Sequence, residues 1–174
     1  KFLSNFGASG SWPSQFNLPW GIAMDSTGNL YIADTNNDRV QKLSPEGDHI
    51  LTFGSSSPGE LNRPSDVTID KDGAVYVSDW GNTRIQIYSA DGGYLATLIG
   101  DATELSPWAQ MTVNANIDYI KARARADLEA EWRFRRPTGL TIDDDYRLVI
   151  AEAQHNRAQV YLKDVGYEDP QFNL

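Results

Sequence analysis

One heptapeptide pattern occurs three times in this chain, and its spacing restricts the fold more than any other feature. The copies are Pro19-Trp20-Gly21-Ile22-Ala23-Met24-Asp25, Pro64-Ser65-Asp66-Val67-Thr68-Ile69-Asp70 and Pro137-Thr138-Gly139-Leu140-Thr141-Ile142-Asp143. A turn follows each copy, then a β-branched run ending in an acid: Asp34, Asp79 or Glu152. A polar loop comes next, and an Arg opens a third strand: Arg39, Arg84 or Arg157. In copies one and two a Gly turn leads into a fourth strand.

Landmarks in copies one and two lie 45 residues apart, and those in copies two and three lie 73 apart. A constant offset over several landmarks places the extra length in one insertion between copies two and three. Four short strands per unit, repeated every 40–50 residues or so, is the pattern of β-propeller blades. A single blade buries too little to stand alone, so the copies stack.

Residues 19–54 are expected to form blade 1, 64–100 blade 2, 101–136 a helical insertion and 137–163 blade 3. Lys1-Phe2-Leu3-Ser4-Asn5-Phe6-Gly7 resembles the close of blade 1, Ile50-Leu51-Thr52-Phe53-Gly54. Residues 1–7 are therefore expected to be the fourth strand of a preceding or exchanged blade. In residues 164–174, Gln171-Phe172-Asn173-Leu174 repeats the blade 1 lead-in Gln15-Phe16-Asn17-Leu18, so this tail is expected to lead toward a further blade. Closed propellers have roughly four to eight blades. Three blades leave three possibilities: a fragment of a longer six-blade propeller, completion of the ring by a second copy or another chain, or an open arc.

These motifs resemble the NHL repeat: a Pro-x-Gly start, an Asp-x-x-Gly turn, a Tyr-Val-Ala-Asp strand end and an Arg-initiated third strand. Copy one, with Tyr31-Ile32-Ala33-Asp34 and Asn37-Asp38-Arg39-Val40, carries the resemblance best. Copy three departs, with Glu152 for the Asp and no Gly in its first turn. The resemblance implies an all-β, NHL-type β-propeller. It leaves open a scaffold, an RNA binder, a sensor ectodomain or a metal-dependent lyase. The lyase uses histidines from several blades, whereas this chain has only His49 and His155.

Repetition argues against catalysis by the strand-end acids. A catalytic residue is needed once, but a carboxylate opening a polar loop can accept backbone N–H bonds in every blade. The following Arg is expected to pair with it.

In the insertion, Ser106-Pro107 reads as a helix start. Asn116 is a second cap, for a helix from Ile117 to about Trp132 with the apolar stripe Ile117, Ile120, Ala124, Leu128 and Trp132. Arg123–Asp127 and Arg125–Glu129 fit i,i+4 pairing. This helix is expected to pack on the propeller by its stripe, with Trp108 and Trp132 as anchors. A sharper reading makes it a partner-docking element, with Arg123, Arg125, Arg133, Arg135 and Arg136 as contacts. The cluster Arg133, Arg135 and Arg136 suits an acidic partner or an anion, and equally suits neutralising an acidic rim.

Trp20, Trp80 and His155 are candidates for a ligand or partner face, the alternative for the tryptophans being packing between blades. The net charge of −9 disfavours nucleic acid as a partner. No apolar run approaches the roughly 20 residues that span a bilayer. With no Cys in the chain, disulfides and thiolate chemistry are excluded. The leading expectation is a non-enzymatic interaction scaffold without a cofactor. The alternative is a metal-dependent lyase or hydrolase with Ca or Zn in the central channel, where Asp25, Asp66, Asp70 and Asp143 are the nearby carboxylates.

Overall fold

The structure, a computed structural model, describes residues 1–164. A short parallel pair, β1 (Ala8–Ser9) and β2 (Gln15–Phe16), precedes the first blade. Blade 1 is an antiparallel sheet in chain order: β3 (Pro19–Met24), β4 (Leu30–Asp34), β5 (Arg39–Leu43) and β6 (His49–Phe53). Blade 2 repeats it with β7 (Pro64–Ile69), β8 (Val75–Asp79), β9 (Arg84–Tyr88) and β10 (Tyr94–Leu98). Three helices follow: α1 (Pro107–Asn114), α2 (Ile117–Arg123) and α3 (Glu129–Trp132). Blade 3 has three strands among the described residues, β11 (Pro137–Ile142), β12 (Arg147–Glu152) and β13 (Arg157–Leu162).

The inner strands β3, β7 and β11 lie side by side, with β7 in the middle. Each carries a register shift directly after its Pro, between Pro19 and Ile22, Pro64 and Asp66, and Pro137 and Gly139. Proline cannot donate to a ladder and is tolerated at a strand start or bulge.

The core lies between blades. Tyr31, Val40 and Phe53 of blade 1 pack with Val67, Val75, Val77 and Tyr88 of blade 2. Tyr76 and Ile85 of blade 2 pack with Leu140, Leu148 and Ile150 of blade 3. All five residues of β8 are buried because a blade covers each face of its sheet.

The first-strand turns follow one hydrogen-bond scheme. Gly28 and Gly73 donate to the carbonyls of Asp25 and Asp70, with φ of +88° and +90°. Blade 3 lacks that Gly, and Tyr146 takes its place at φ +61°, donating to the Asp143 carbonyl. A bulky residue in the left-handed region persists only where its surroundings fix it. Here the Tyr146 hydroxyl donates to Asp72 of blade 2, and Lys71 and Lys163 lie 4.2 and 5.0 Å from its ring centre.

Residues 1–7 form no strand among the described residues; pairing begins at Ala8. The repeat of residues 15–18 at 171–174 lies outside the described residues.

In the insertion, both caps form as expected. Ser106 Oγ accepts from the Ala109 N–H at 3.3 Å, and Asn116 Oδ1 from the Asp118 N–H at 2.9 Å. The long helix expected from Ile117 to Trp132 is instead divided into α2 and α3. Asp127 Oδ1 accepts the Glu129 N–H at 3.0 Å, so Asp127 opens a new turn rather than extending the old one. Arg123 consequently pairs with Glu131, at 2.7 Å, instead of Asp127. Glu129 pairs with Arg133, at 2.8 Å, instead of Arg125.

Candidate functional site

The strand-end carboxylates sit in three copies of one polar lock. Asp34 Oδ2 accepts from Arg39 Nε at 2.8 Å and Gln41 Nε2 at 3.2 Å, while Oδ1 accepts the Asn17 N–H at 2.7 Å. Asp79 accepts from Arg84 Nε and from the Asn62 N–H, each at 2.7 Å. Glu152 accepts from Arg157 Nε at 2.5 Å, Gln159 Nε2 at 2.7 Å and the Arg135 N–H at 2.9 Å. Each Arg also donates to a carbonyl of the segment entering its blade, at Gln15, Glu60 and Arg133. The lock therefore pins that entering segment to the second and third strands.

All three carboxylate side chains are fully buried. Burial alone would raise the Glu152 pKa. The bonds from Arg157, Gln159 and the Arg135 N–H outweigh it and hold the carboxyl below its ordinary value. The bonding of the glutamines and of the residue three places after each acid escaped the sequence reading, which placed His155 on a ligand or partner face instead. Asn37 and Asn82 donate to Asp34 and Asp79 at 2.8 and 2.9 Å, and His155 Nδ1 lies 3.2 Å from Glu152 Oε2. The signal was available: Gln41, Gln86 and Gln159 keep the 45- and 73-residue offsets.

The candidate face residues occupy three different settings. Trp80 lies in a short 3-10 turn, Trp80–Asn82, with the Arg136 guanidinium 4.4 Å from its ring centre. Arg136 enters blade 3 as Arg63 enters blade 2, where the Arg63 N–H donates to Asp38 of blade 1 at 2.7 Å. Both are left-handed, with φ of +52° and +49°, and exposed. Trp20 lies at the start of an inner strand, β3. There it lines a cavity of about 310 Å³ with Gly21, Ser65, Asp66 and Thr138.

Asp66 occupies the position that is Gly21 in blade 1 and Gly139 in blade 3. Its carboxylate accepts the Val67 N–H at 2.9 Å and the Leu140 N–H at 3.0 Å, joining blades 2 and 3. Burial raises its pKa, partly offset by these two N–H bonds. The other channel candidates sit at the opposite ends of their strands. Burial acts to raise the Asp25 pKa, but bonds from Thr27 and Asn29 outweigh it and hold the group well below the usual carboxylate range. Asp70 accepts from Lys163 at 2.7 Å, and Asp143 from Arg147 at 2.7 Å. Among the described residues, no three His, Cys, Asp or Glu side chains gather in metal-binding proximity.

A second cavity, of about 530 Å³, runs along the outer edge of β13. His155, Arg157 and Tyr161 line it on the strand side; Asp101, Glu104 and Glu131 face them. Burial pushes the Tyr161 hydroxyl up to about 12.

The insertion differs from expectation in its packing. No residue of α1, α2 or α3 is buried. Trp108, expected as an anchor, is 79% exposed, and Met111, Ile117, Tyr119 and Ile120 are exposed with it. Phe134 is the residue that ties the insertion down, buried against the blade 2–blade 3 core. Trp132 is half-buried, 5.9 Å from the Arg123 guanidinium. Of the five insertion arginines, Arg123 and Arg133 are held in ion pairs, whereas Arg125, Arg135 and Arg136 are exposed.

Repeated antiparallel blades, packed face to face with inner strands adjacent, define a β-propeller architecture. Residues 16–43 and 61–88 match the NHL repeat. The two matched segments span the lead-in and the first three strands of blades 1 and 2. The chain is 38% identical over 48 residues to Protein lin-41 of Caenorhabditis elegans, covering 28% of this chain and 4% of that protein. It is 41% identical over 46 residues to the human E3 ubiquitin-protein ligase TRIM32, covering 26% of this chain and 7% of that one. The chain thus spans only a small part of the length of these relatives. Among solved structures, a Bacteroides thetaiotaomicron protein of unknown function superposes with a TM-score of 0.57 at 21% identity, over 83% of this chain and 34% of that one. Virginiamycin B lyase from Staphylococcus aureus gives a TM-score of 0.48 at 14% identity, over 83% of this chain and 41% of that one.

Proposed function

We propose that this chain is a non-enzymatic protein-interaction scaffold, and that its helical insertion is the element that docks a partner. The observation that carries this reading is the exposure of Trp108, Met111, Ile117, Tyr119 and Ile120 on helices that bury nothing. Contiguous exposed apolar side chains within a polar surround mark interaction sites. Arg125, exposed on the same insertion, adds a positive charge. The partner that fits is a protein segment with aliphatic or aromatic anchors flanked by Asp or Glu. The strand-end acids support a scaffold as well, because each spends its lone pairs on holding its own blade together.

Selection from a displayed peptide library tests the proposal. Apolar-acidic sequences should be enriched, and Trp108→Ser or Arg125→Glu should weaken the best binder at least tenfold while leaving the fold intact. Enrichment indifferent to both substitutions overturns the reading. So does tight, salt-sensitive binding of single-stranded RNA in place of peptides.

One observation favours a second reading, a ligand or metal-dependent activity in the channel. Asp66, with its raised pKa, faces the cavity that Trp20, Ser65 and Thr138 also line. Stoichiometric Ca or Zn in the purified protein, lost on Asp66→Ala, would favour that reading over the scaffold.

A further inference from the structure

We infer that the cavity among the inner strands binds the ammonium group of a small organic cation, with Asp66 as its counter-ion. This rests on the second reading above, a ligand in the channel, and names that ligand's chemistry. The position is a departure from the repeat: Asp66 of β7 stands where blades 1 and 3 have Gly21 and Gly139. Those blades build the same strand, with the same register shift after its Pro, without an acid there. Gly21 makes room for the carboxylate, since a Cβ on it would come 2.3 Å from Asp66 Oδ1. Oδ2 turns to blade 3, where it accepts the Leu140 N–H at 3.0 Å. Asp66 thus sits between the first strands of the other two blades.

Charge singles out the same residue. The carboxylates of Asp34, Asp70, Asp79 and Glu152 are buried, and each is paired with a cation: Arg39, Lys163, Arg84 and Arg157. Asp25 lies 3.4 Å from Lys42. Asp66 is half-buried and has no such partner among the described residues. It accepts two N–H bonds, from Val67 and Leu140, whereas a carboxylate has about four lone-pair sites. Each oxygen can therefore take a further donor. A carboxylate drawn partly out of water without a cation carries an uncompensated cost, visible in its raised pKa. A bound cation removes that cost.

The cavity selects the kind of cation. Its volume of about 310 Å³ is at the lower end of small-molecule sites, which run to roughly 300–1,000 Å³. Trp20, Ser65, Asp66 and Thr138 line it, so all three blades contribute. Ser65 donates its hydroxyl proton to the Pro137 carbonyl at 3.2 Å, and Thr138 its own to the Ala151 carbonyl at 3.3 Å. Their oxygens, like those of Asp66, are left as acceptors. Side-chain oxygens that only accept suit a group that only donates, and an indole attracts a positive charge. An ammonium meets both conditions, and an anion meets neither. A divalent metal fits less well: Asp66 is the single carboxylate of the lining, and calcium takes about six to eight oxygen ligands.

The probe is n-butylammonium, with n-butanol as a neutral counterpart of the same size. Each is titrated into the parent chain at neutral pH and followed by saturation-transfer NMR. We expect saturable, millimolar binding of the cation and none of the alcohol. Asp66→Asn should weaken the cation about tenfold. Trp20→Leu should weaken it about fivefold. Circular dichroism should show both variants folded. Equal binding of the alcohol overturns the inference, and so does cation binding that neither substitution weakens. If the cation fails to bind but Ca or Zn binds stoichiometrically through Asp66, the inference falls and the channel reading stands. If none of them binds, both fall. Peptide docking at the insertion is separate from either, since neither Trp108 nor Arg125 lines the cavity.

Discussion

Blade 2 ends its second strand with Asp79 and places Asn82 three residues later; blade 3 has Glu152 and His155 at the same two positions. Both carboxylates are fully buried, and both receive an Arg Nε and a backbone N–H from the segment entering the blade. The fold thus demands a buried, fully bonded carboxylate there, not a particular side-chain length. Glu152 brings one more methylene, and an imidazole in place of the Asn amide still reaches its oxygen. The same blade replaces a turn Gly with Tyr146 and secures the strained backbone through Asp72. Blade 3 keeps the repeat's bonds while changing its residues, which accounts for the NHL match covering only blades 1 and 2.

The largest effect should come from breaking the lock where it is most regular. Asp79→Ala leaves Arg84 and the Asn62 N–H without their acceptor. Breaking a buried pair in this way costs about 3–5 kcal/mol, to be read by urea denaturation. Glu152→Gln is milder, because the amide oxygen keeps one acceptor; we expect a loss of about 1.5–3 kcal/mol at neutral pH. The sign of its pH dependence follows from the depressed Glu152 pKa. The parent's advantage is complete above the ordinary value of 4.5 and disappears as the pH falls through the lower folded value. Denaturation curves of the two chains should therefore draw together in acid, and a gap that widens there would contradict the assigned lock.

Next in size is a pair at one repeat position. A Cβ on Gly21 would lie 2.5 Å from Asp66 Cα and 2.8 Å from the Ser65 carbonyl, whereas a Cβ on Gly139 meets nothing closer than 3.7 Å. Gly21→Ala should cost about 1–3 kcal/mol, and Gly139→Ala should stay within about 0.5 kcal/mol. Parallel melting curves decide it, and equal costs would mean that the blades do not abut as described. The smallest effect is expected from Trp80→Ala, which removes the ring under Arg136; at an exposed site that contact contributes about 0.5–1 kcal/mol.

The strands, their order and the acid–Arg pairing were legible because they repeat, so that each residue was read against two others at fixed offsets. The insertion has no second copy to compare with. Its caps at Ser106 and Asn116 could be read because a cap is a local hydrogen bond. The break before Glu129 could not, because Asp127 suits a helix interior and a new cap almost equally, and a single backbone N–H decides. The stripe Ile117, Ile120, Ala124, Leu128 and Trp132 has helical spacing, but spacing does not say what lies opposite, and for Ile117 and Ile120 it is solvent. Net charge is likewise silent about position. The value of −9 is a sum over the whole surface, and it hides the exposed Arg63, Arg135 and Arg136 at one end of the blades, opposite the turn aspartates Asp143, Asp144 and Asp145.

The placement of the aromatic side chains has a spectroscopic consequence. The interblade cores hold tyrosine and phenylalanine, whereas none of the five tryptophans is buried: Trp12, Trp20 and Trp108 are exposed, and Trp80 and Trp132 are half-buried. Indole emission from the native chain should already lie toward the long wavelengths of hydrated tryptophan and shift little on unfolding. It is a poor gauge of the folded state. The same emission should move to the blue when Trp108 is covered by a docked segment, which makes it a built-in optical report of association.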